Sequence, residues 1–156
     1  MSDCCTVQHV KLNEPREPGI CPLCEKRGKS VDIITLKSLL TPEAMRRLEP
    51  STDYHFCRVA DCLVVYFNDT GFFTKGELTV GVYQKETSDP LLVCYCFGFT
   101  RERIFSEVAR TGKSTAPQEI TQYVKDGKCA CELRNPQGSC CLGNIGQVVK
   151  QALQQK

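Results

Sequence analysis

Twelve of the 156 residues are cysteine, and most fall into close pairs whose spacing suits metal ligation. Cys21-Pro22-Leu23-Cys24 is followed, after 32 intervening residues, by Cys57 and Cys62. Two such pairs brought together make a tetrahedral thiolate site of the kind zinc fills. Four thiolates leave no corner open for water, so this zinc would hold structure rather than activate a nucleophile. The second half carries Cys94-Tyr95-Cys96 and, after another 32 residues, Cys129-Ala130-Cys131 and the vicinal pair Cys140-Cys141. A Cys-x-Cys with a later thiol group suits an iron–sulfur cluster, although soft thiolates would equally hold a second zinc. Cys94 and Cys96 are the firmest ligands there. Six candidates compete for four positions, and only one member of the vicinal pair can readily face the same metal.

Other chemistry is sparse. No acid–base dyad or nucleophile triad stands out, so no hydrolytic or transferase site is expected, and any catalysis would be metal reduction or electron transfer. His55, two residues before Cys57, reads as a packing or surface residue rather than a ligand. Cys4 and Cys5 offer soft ligands but nothing around them to position a partner. Arg101, Arg103 and Arg134 read as a solvated helix face; the functional alternative is that they tune the cluster and steer an acidic electron partner.

The formal charge of +2 falls to about −2 once a four-thiolate zinc and a four-thiolate cluster are counted. Lys26, Arg27, Lys29 and Arg58 then read as local compensation for the first site. No basic excess remains to favour nucleic acid. The amino terminus has neither a basic region nor an apolar stretch of secretory type, and the longest apolar run, Leu63 to Phe67, is far short of a membrane span. A cytoplasmic setting follows, in which thiols stay reduced and bind metal; a disulfide-rich secreted module is the alternative.

The elements that must position these thiols divide the chain into a mobile tail over residues 1–19, a zinc-binding β-rich lobe over 20–90 and a helical cluster-binding lobe over 91–156. The class is α+β. Strands are expected at Val31–Leu36, Cys62–Asn68 and Glu77–Tyr83, with a turn at Asp69-Thr70-Gly71. Thr41 and Pro42 open a short helix running from Glu43 to Leu48. Beyond Pro90 the apolar period becomes helical. Thr100 caps a helix ending at Gly112, a Thr115–Gln118 capping box opens a second ending at Gly127, and Asn144 with Gln147 opens a third. Cys94-x-Cys96 thus precedes one helix and Cys140-Cys141 another, where amide donors and the helix dipole favour anionic sulfur.

Cys94-Tyr95-Cys96-Phe97-Gly98-Phe99-Thr100, Asn135-Pro136-Gln137-Gly138-Ser139-Cys140-Cys141-Leu142-Gly143, Cys21-Pro22-Leu23-Cys24 and Val64-Val65-Tyr66-Phe67 occur in an informative order. Together they resemble the N-terminal half of the CopZ-type copper chaperones over residues 20 to 150. The helical part is also similar to the cluster unit of bacterioferritin-associated ferredoxin and to the central segment of NifU. The resemblance implies one zinc, on Cys21, Cys24, Cys57 and Cys62, and one 2Fe-2S cluster on Cys94, Cys96, Cys131 and Cys141. Cys129 and Cys140 are the near alternatives for the last two positions, because Cys129 sits at the family's interval after Cys96. No Met-x-Cys-x2-Cys copper motif occurs in the 156 residues, so the copper-carrying role of a further domain does not transfer. The implied function is one-electron transfer linked to copper handling, reducing Cu(II) to Cu(I) for a separate chaperone, a copper ATPase or another redox partner. An iron–sulfur carrier or scaffold and a two-zinc binding module are the alternatives.

Overall fold

The computed structural model describes residues 17–155; Cys4, Cys5 and nearly all of the expected tail lie outside them. Four short strands, Lys29–Val31 (β1), Tyr54–Phe56 (β2), Val64–Phe67 (β3) and Phe72–Thr74 (β4), form an antiparallel sheet in the order β1-β2-β3-β4. Helices Ile33–Leu39 (α1) and Pro42–Met45 (α2) lie between β1 and β2 in the chain. Leu36, Leu40, Ala44, Phe56, Tyr66, Phe73 and Val82 share the core of this half. The second half holds a two-stranded hairpin, Leu92–Cys94 (β5) with Phe99–Thr100 (β6), and four helices: Arg101–Thr111 (α3), Ala116–Lys125 (α4), Cys131–Arg134 (α5) and Leu142–Gln154 (α6). Val93, Ile104, Ile120, Ile145 and Val148 are its core. The class is α+β, as expected.

Several elements depart from the sequence reading. The expected strand over Val31–Leu36 stops at Val31, because the Asp32 carboxylate accepts a hydrogen bond from the Ile34 amide at 3.0 Å and starts α1 instead. Glu77–Tyr83 is not a strand: a single 3-10 turn covers Lys75–Glu77, and β4 lies upstream at Phe72–Thr74. The Asn68 side chain makes the β3–β4 turn, its oxygen accepting from the Thr70 and Gly71 amides. Thr41 and Pro42 do open α2, with Thr41 Oγ1 accepting from the Ala44 amide, but the helix ends at Met45.

Thr100 caps α3 and Gly112, at φ 82°, closes it. The Thr115–Gln118 box does not form; Thr115 donates from both its amide and its hydroxyl to Glu107, which fixes the α3–α4 corner. The first residue of α6 is Leu142, so Asn144 lies inside the helix and does not cap it.

The two halves meet at the loop after α5. The Tyr66 hydroxyl, fully buried on β3, donates to the Pro136 carbonyl at 2.6 Å, and burial pushes its pKa well above the usual phenol value. Gly138, at φ 70°, passes so near the end of β1 and the start of α1 that a Cβ there would sit 2.8 Å from Val31 Cγ2 and 3.1 Å from Thr35 Oγ1. Removing the Tyr66 hydroxyl leaves a buried carbonyl unpaired, which costs about 1–3 kcal/mol. Tyr66→Phe is therefore expected to lower the urea midpoint with an unchanged slope, and an unaltered midpoint would mean the halves are held together elsewhere.

Candidate metal centres

The first centre sits at one end of the sheet. Cys21 to Cys24 form a turn closed by the Cys21 amide donating to the Lys26 carbonyl and the Glu25 amide donating to the Cys21 carbonyl. Cys57 directly follows β2 and Cys62 precedes β3 by two residues, so both lie in the loop joining those strands. The four Sγ atoms all lie within 4.8 Å of one another. Cys21–Cys62 and Cys24–Cys57 are 3.8 and 3.7 Å apart. A Zn–S bond of about 2.3 Å in a tetrahedron gives an edge of about 3.8 Å, so the spacing fits one zinc.

Proton sharing is uneven within this group. The hydrogen bond with Cys57 pulls the Cys21 thiol down to about 5, helped by the Cys24 and Leu23 amides. The same contact and burial push Cys57 up, and burial raises Cys62. Amides from Val59 and Val64 oppose those rises. His55 is not part of the centre: its ring stacks on Phe67 at 5.5 Å.

The expected charge compensation is placed differently. Arg27 pairs with Glu17 at 3.6 Å on the surface, and Lys29 donates to Ser139. The cation beside the thiols is Lys85, only 5% exposed, whose Nζ donates to the carbonyls of Val59 (2.6 Å) and Cys62 (2.9 Å). Nothing in the sequence flags Lys85, because its partners stand more than 20 residues away.

The second centre collects thiols from three places. Cys94 ends β5 and Cys96 lies in the hairpin turn. Cys129 and Cys131 follow α4, Cys131 being the first residue of α5. Cys141 is the residue before α6, while Cys140 is exposed. Cys96, Cys129 and Cys131 have sulfurs within 4.8 Å of one another, with Cys96–Cys131 at 3.8 Å and Cys129–Cys131 at 3.2 Å. The Cys141 thiol hydrogen-bonds with those of Cys94 and Cys131, pulling them down to about 7 and about 5 while its own is pushed up. Burial raises Cys96 to about 12, opposed by the Ala130 amide, which donates to its sulfur at 3.3 Å.

Cys94, Cys96, Cys131 and Cys141 thus form a connected set, but they are not among the groups whose four sulfurs fit a single 4.8 Å sphere. Cys129 joins it at the rim; Cys140 does not share its thiol contacts.

The Asn-Pro-Gln-Gly stretch positions Cys141. Asn135, 2% exposed, donates to the Ser139 carbonyl and accepts from the Gln137 amide. The Gln137 side chain donates to the Ser139 and Cys140 carbonyls and accepts from Asn144 and Gln84. Asn144 therefore serves the loop. Two of the three arginines are engaged structurally: Arg101 pairs with Asp89 at 2.8 Å, and Arg103 lies 4.3 Å from the Phe99 ring centre.

A CopZ-type family model described as a zinc binding domain matches residues 18–79. The copper chaperone CopZ of Archaeoglobus fulgidus is 36% identical over 121 residues, 78% of this chain and 57% of that protein. The chain thus aligns with little more than half the length of this curated relative. The X-ray structure of the A. fulgidus CopZ N-terminal domain is similar at a TM-score of 0.69 and 33% identity, covering 82% of this chain and 95% of that one. No helix among the described residues is long and apolar enough to cross a membrane.

Proposed function

Since the chain belongs to the CopZ family and carries that family's zinc binding domain, we propose that it is a cytoplasmic one-electron carrier in copper handling. Cys21, Cys24, Cys57 and Cys62 hold a structural zinc, and Cys94, Cys96, Cys131 and Cys141 hold a 2Fe-2S cluster. The observation that carries this reading is the second thiol set, which is separate from the zinc site and draws its sulfurs from three segments of the chain.

When bound, the cluster supplies reversible one-electron chemistry. The protein's own residues do the rest. Cys94 and Cys141, at 0% and 1% exposure, keep water from one side of the centre. The Ala130 amide stabilises negative charge on the Cys96 sulfur, and the Cys141 amide does the same for Cys131. The side bearing Cys96 and Cys129 is only half-buried and is the short route for an electron to a docked acceptor. The substrate would be Cu(II), reduced to the Cu(I) that thiolate carriers bind, for a separate chaperone or copper ATPase.

Protein purified without oxygen is expected to contain about two irons and two sulfides in its cluster, and to bleach in the visible with an S = 1/2 signal on dithionite reduction. One zinc should remain throughout. A colourless protein with two zincs, even after anaerobic reconstitution, overturns the reading in favour of a two-zinc module. Transfer of the intact cluster to an apo-acceptor, with no copper reduction, would instead assign it as a carrier.

A further inference from the structure

The second centre has one thiol more than a four-ligand cluster needs, and that thiol is packed against a ligand. We propose that Cys129 is a reserve ligand, which replaces Cys131 on the metal while the centre stays bound. This rests on the proposed cluster assignment.

Three observations carry it. Cys96 and Cys131 are 3.8 Å apart, an ordinary separation for two sulfurs on one tetrahedral ion, whereas Cys129 and Cys131 are 3.2 Å apart. Two sulfurs closer than the tetrahedral edge of about 3.8 Å compete for one corner rather than filling two. Cys129 also lies within 4.8 Å of Cys96 as well as Cys131, so a metal held by Cys96 is within reach of either thiol.

The backbone keeps both sulfurs on the same rim. The amide of Ala130, the residue between them, donates to Cys96 Sγ, and the Lys128 amide donates to the Tyr123 carbonyl. Cys129 is the less buried of the two and follows Gly127, at φ 73°. Its side chain can therefore turn inward without disturbing α5, whose first residue is Cys131.

The exchange needs no oxidant. The bond from metal to Cys131 sulfur breaks and that sulfur takes up a proton; the Cys129 thiol loses a proton and its sulfur forms the new bond. The oxidation state and total charge of the centre are unchanged.

The test uses the full chain purified anaerobically, with iron, sulfide and zinc counted beside EPR of the reduced protein. Cys140→Ser, the exposed thiol outside the set, is the control and is expected to keep the wild-type spectrum. Cys131→Ser should retain at least half the wild-type iron with shifted g-values, and the Cys129→Ser, Cys131→Ser double variant should fall below a tenth. Loss of iron from Cys131→Ser with its zinc and helical circular dichroism intact overturns the proposal. Should that variant fail to fold, wild-type protein treated with iodoacetamide decides the matter. A single label per chain, found on Cys129 in some chains and on Cys131 in others while the visible spectrum persists, supports exchange; label on Cys129 with none on Cys131 refutes it. Absence of iron and sulfide from the wild type would instead refute the cluster assignment itself.

Discussion

Cys57→Ser is expected to lose zinc and with it the four-stranded sheet at ordinary temperature. Cys57 is 2% exposed, 3.7 Å from Cys24, and its amide donates to the Val65 carbonyl at 2.8 Å, so it links the metal loop to the strand beside it. The strands of this sheet have only three or four residues each. Cys21, Cys57, Cys62, Val64 and Phe67 form a small cluster of their own beside the main core. A structural zinc contributes about 10–16 kcal/mol to the folding of small zinc domains, while a whole domain is stable by about 5–15 kcal/mol. Losing one ligand thus removes more than the sheet's cooperative margin. The check is zinc content, near-ultraviolet circular dichroism and a thermal melt, with Cys140→Ser as a control because that thiol is exposed. A Cys57→Ser protein that keeps one zinc and melts within a few degrees of wild type would show that three thiolates suffice.

That Cys21, Cys24, Cys57 and Cys62 come together was legible because ligand spacing is a local property of the chain. Cys21-x2-Cys24 and Cys57-x4-Cys62 each lie within one turn or loop, and folding has only to bring two preformed pairs together. Thr41, Thr100, Gly112 and Gly127 were legible for the same reason, since a helix start or stop depends on nearby amides and on φ. The β-rich half was less so. Val31-Asp32-Ile33-Ile34-Thr35-Leu36 has strand-like composition, yet one carboxylate on the Ile34 amide, with Leu36 buried in the core it shares with the sheet, turns it into α1. Tyr54–Phe56 gave no strand signal because three residues show no period; its identity comes from pairing with both β1 and β3. Glu77–Tyr83 had the right alternation, but the pairing edge of β3 was already taken by Phe72–Thr74.

The junction between the halves was the least legible part, and it bears most on function. Tyr66 to Pro136, Gly138 against Val31, and Lys29 to Ser139 all fasten the loop that leads to Cys141 onto the sheet. On the other side, Tyr95, between Cys94 and Cys96, donates its hydroxyl proton to the Gly81 carbonyl and accepts from the Tyr83 amide. Two of the three ligand-bearing segments of the second centre therefore rest on residues of the first half. A zinc that fixes the sheet would then also hold the second centre's thiols in register.

Lys85→Met is expected to cost about 3–5 kcal/mol, the range for removing one partner of a buried charge interaction. Lys85 is held on the turn where the Lys85 and Glu86 amides donate to the Val82 carbonyl, one turn of chain away from the Tyr95 contacts. Its ammonium reaches the Cys57–Cys62 loop and donates to two carbonyls there. Zinc with four thiolates carries about two negative charges, and a cation in a low-dielectric setting offsets part of them. In metal-free protein the Cys57 thiol is raised by its contact with Cys21 and by burial, and Lys85 opposes that rise.

Methionine would fill the same space but leave two carbonyls unpaired and the thiolate charge uncompensated. Thiolates that are harder to keep ionised give up zinc to protons sooner, so zinc release should shift to higher pH in the variant. The measurement is zinc transfer to a chromophoric chelator across pH 4 to 8, about the span over which protons displace zinc from thiolate ligands, alongside a denaturant melt. A release profile that coincides with wild type, with an unchanged melt, would show that Lys85 only fills space. A lower melt with an unshifted release profile would leave it a role in folding but none in holding the zinc charge.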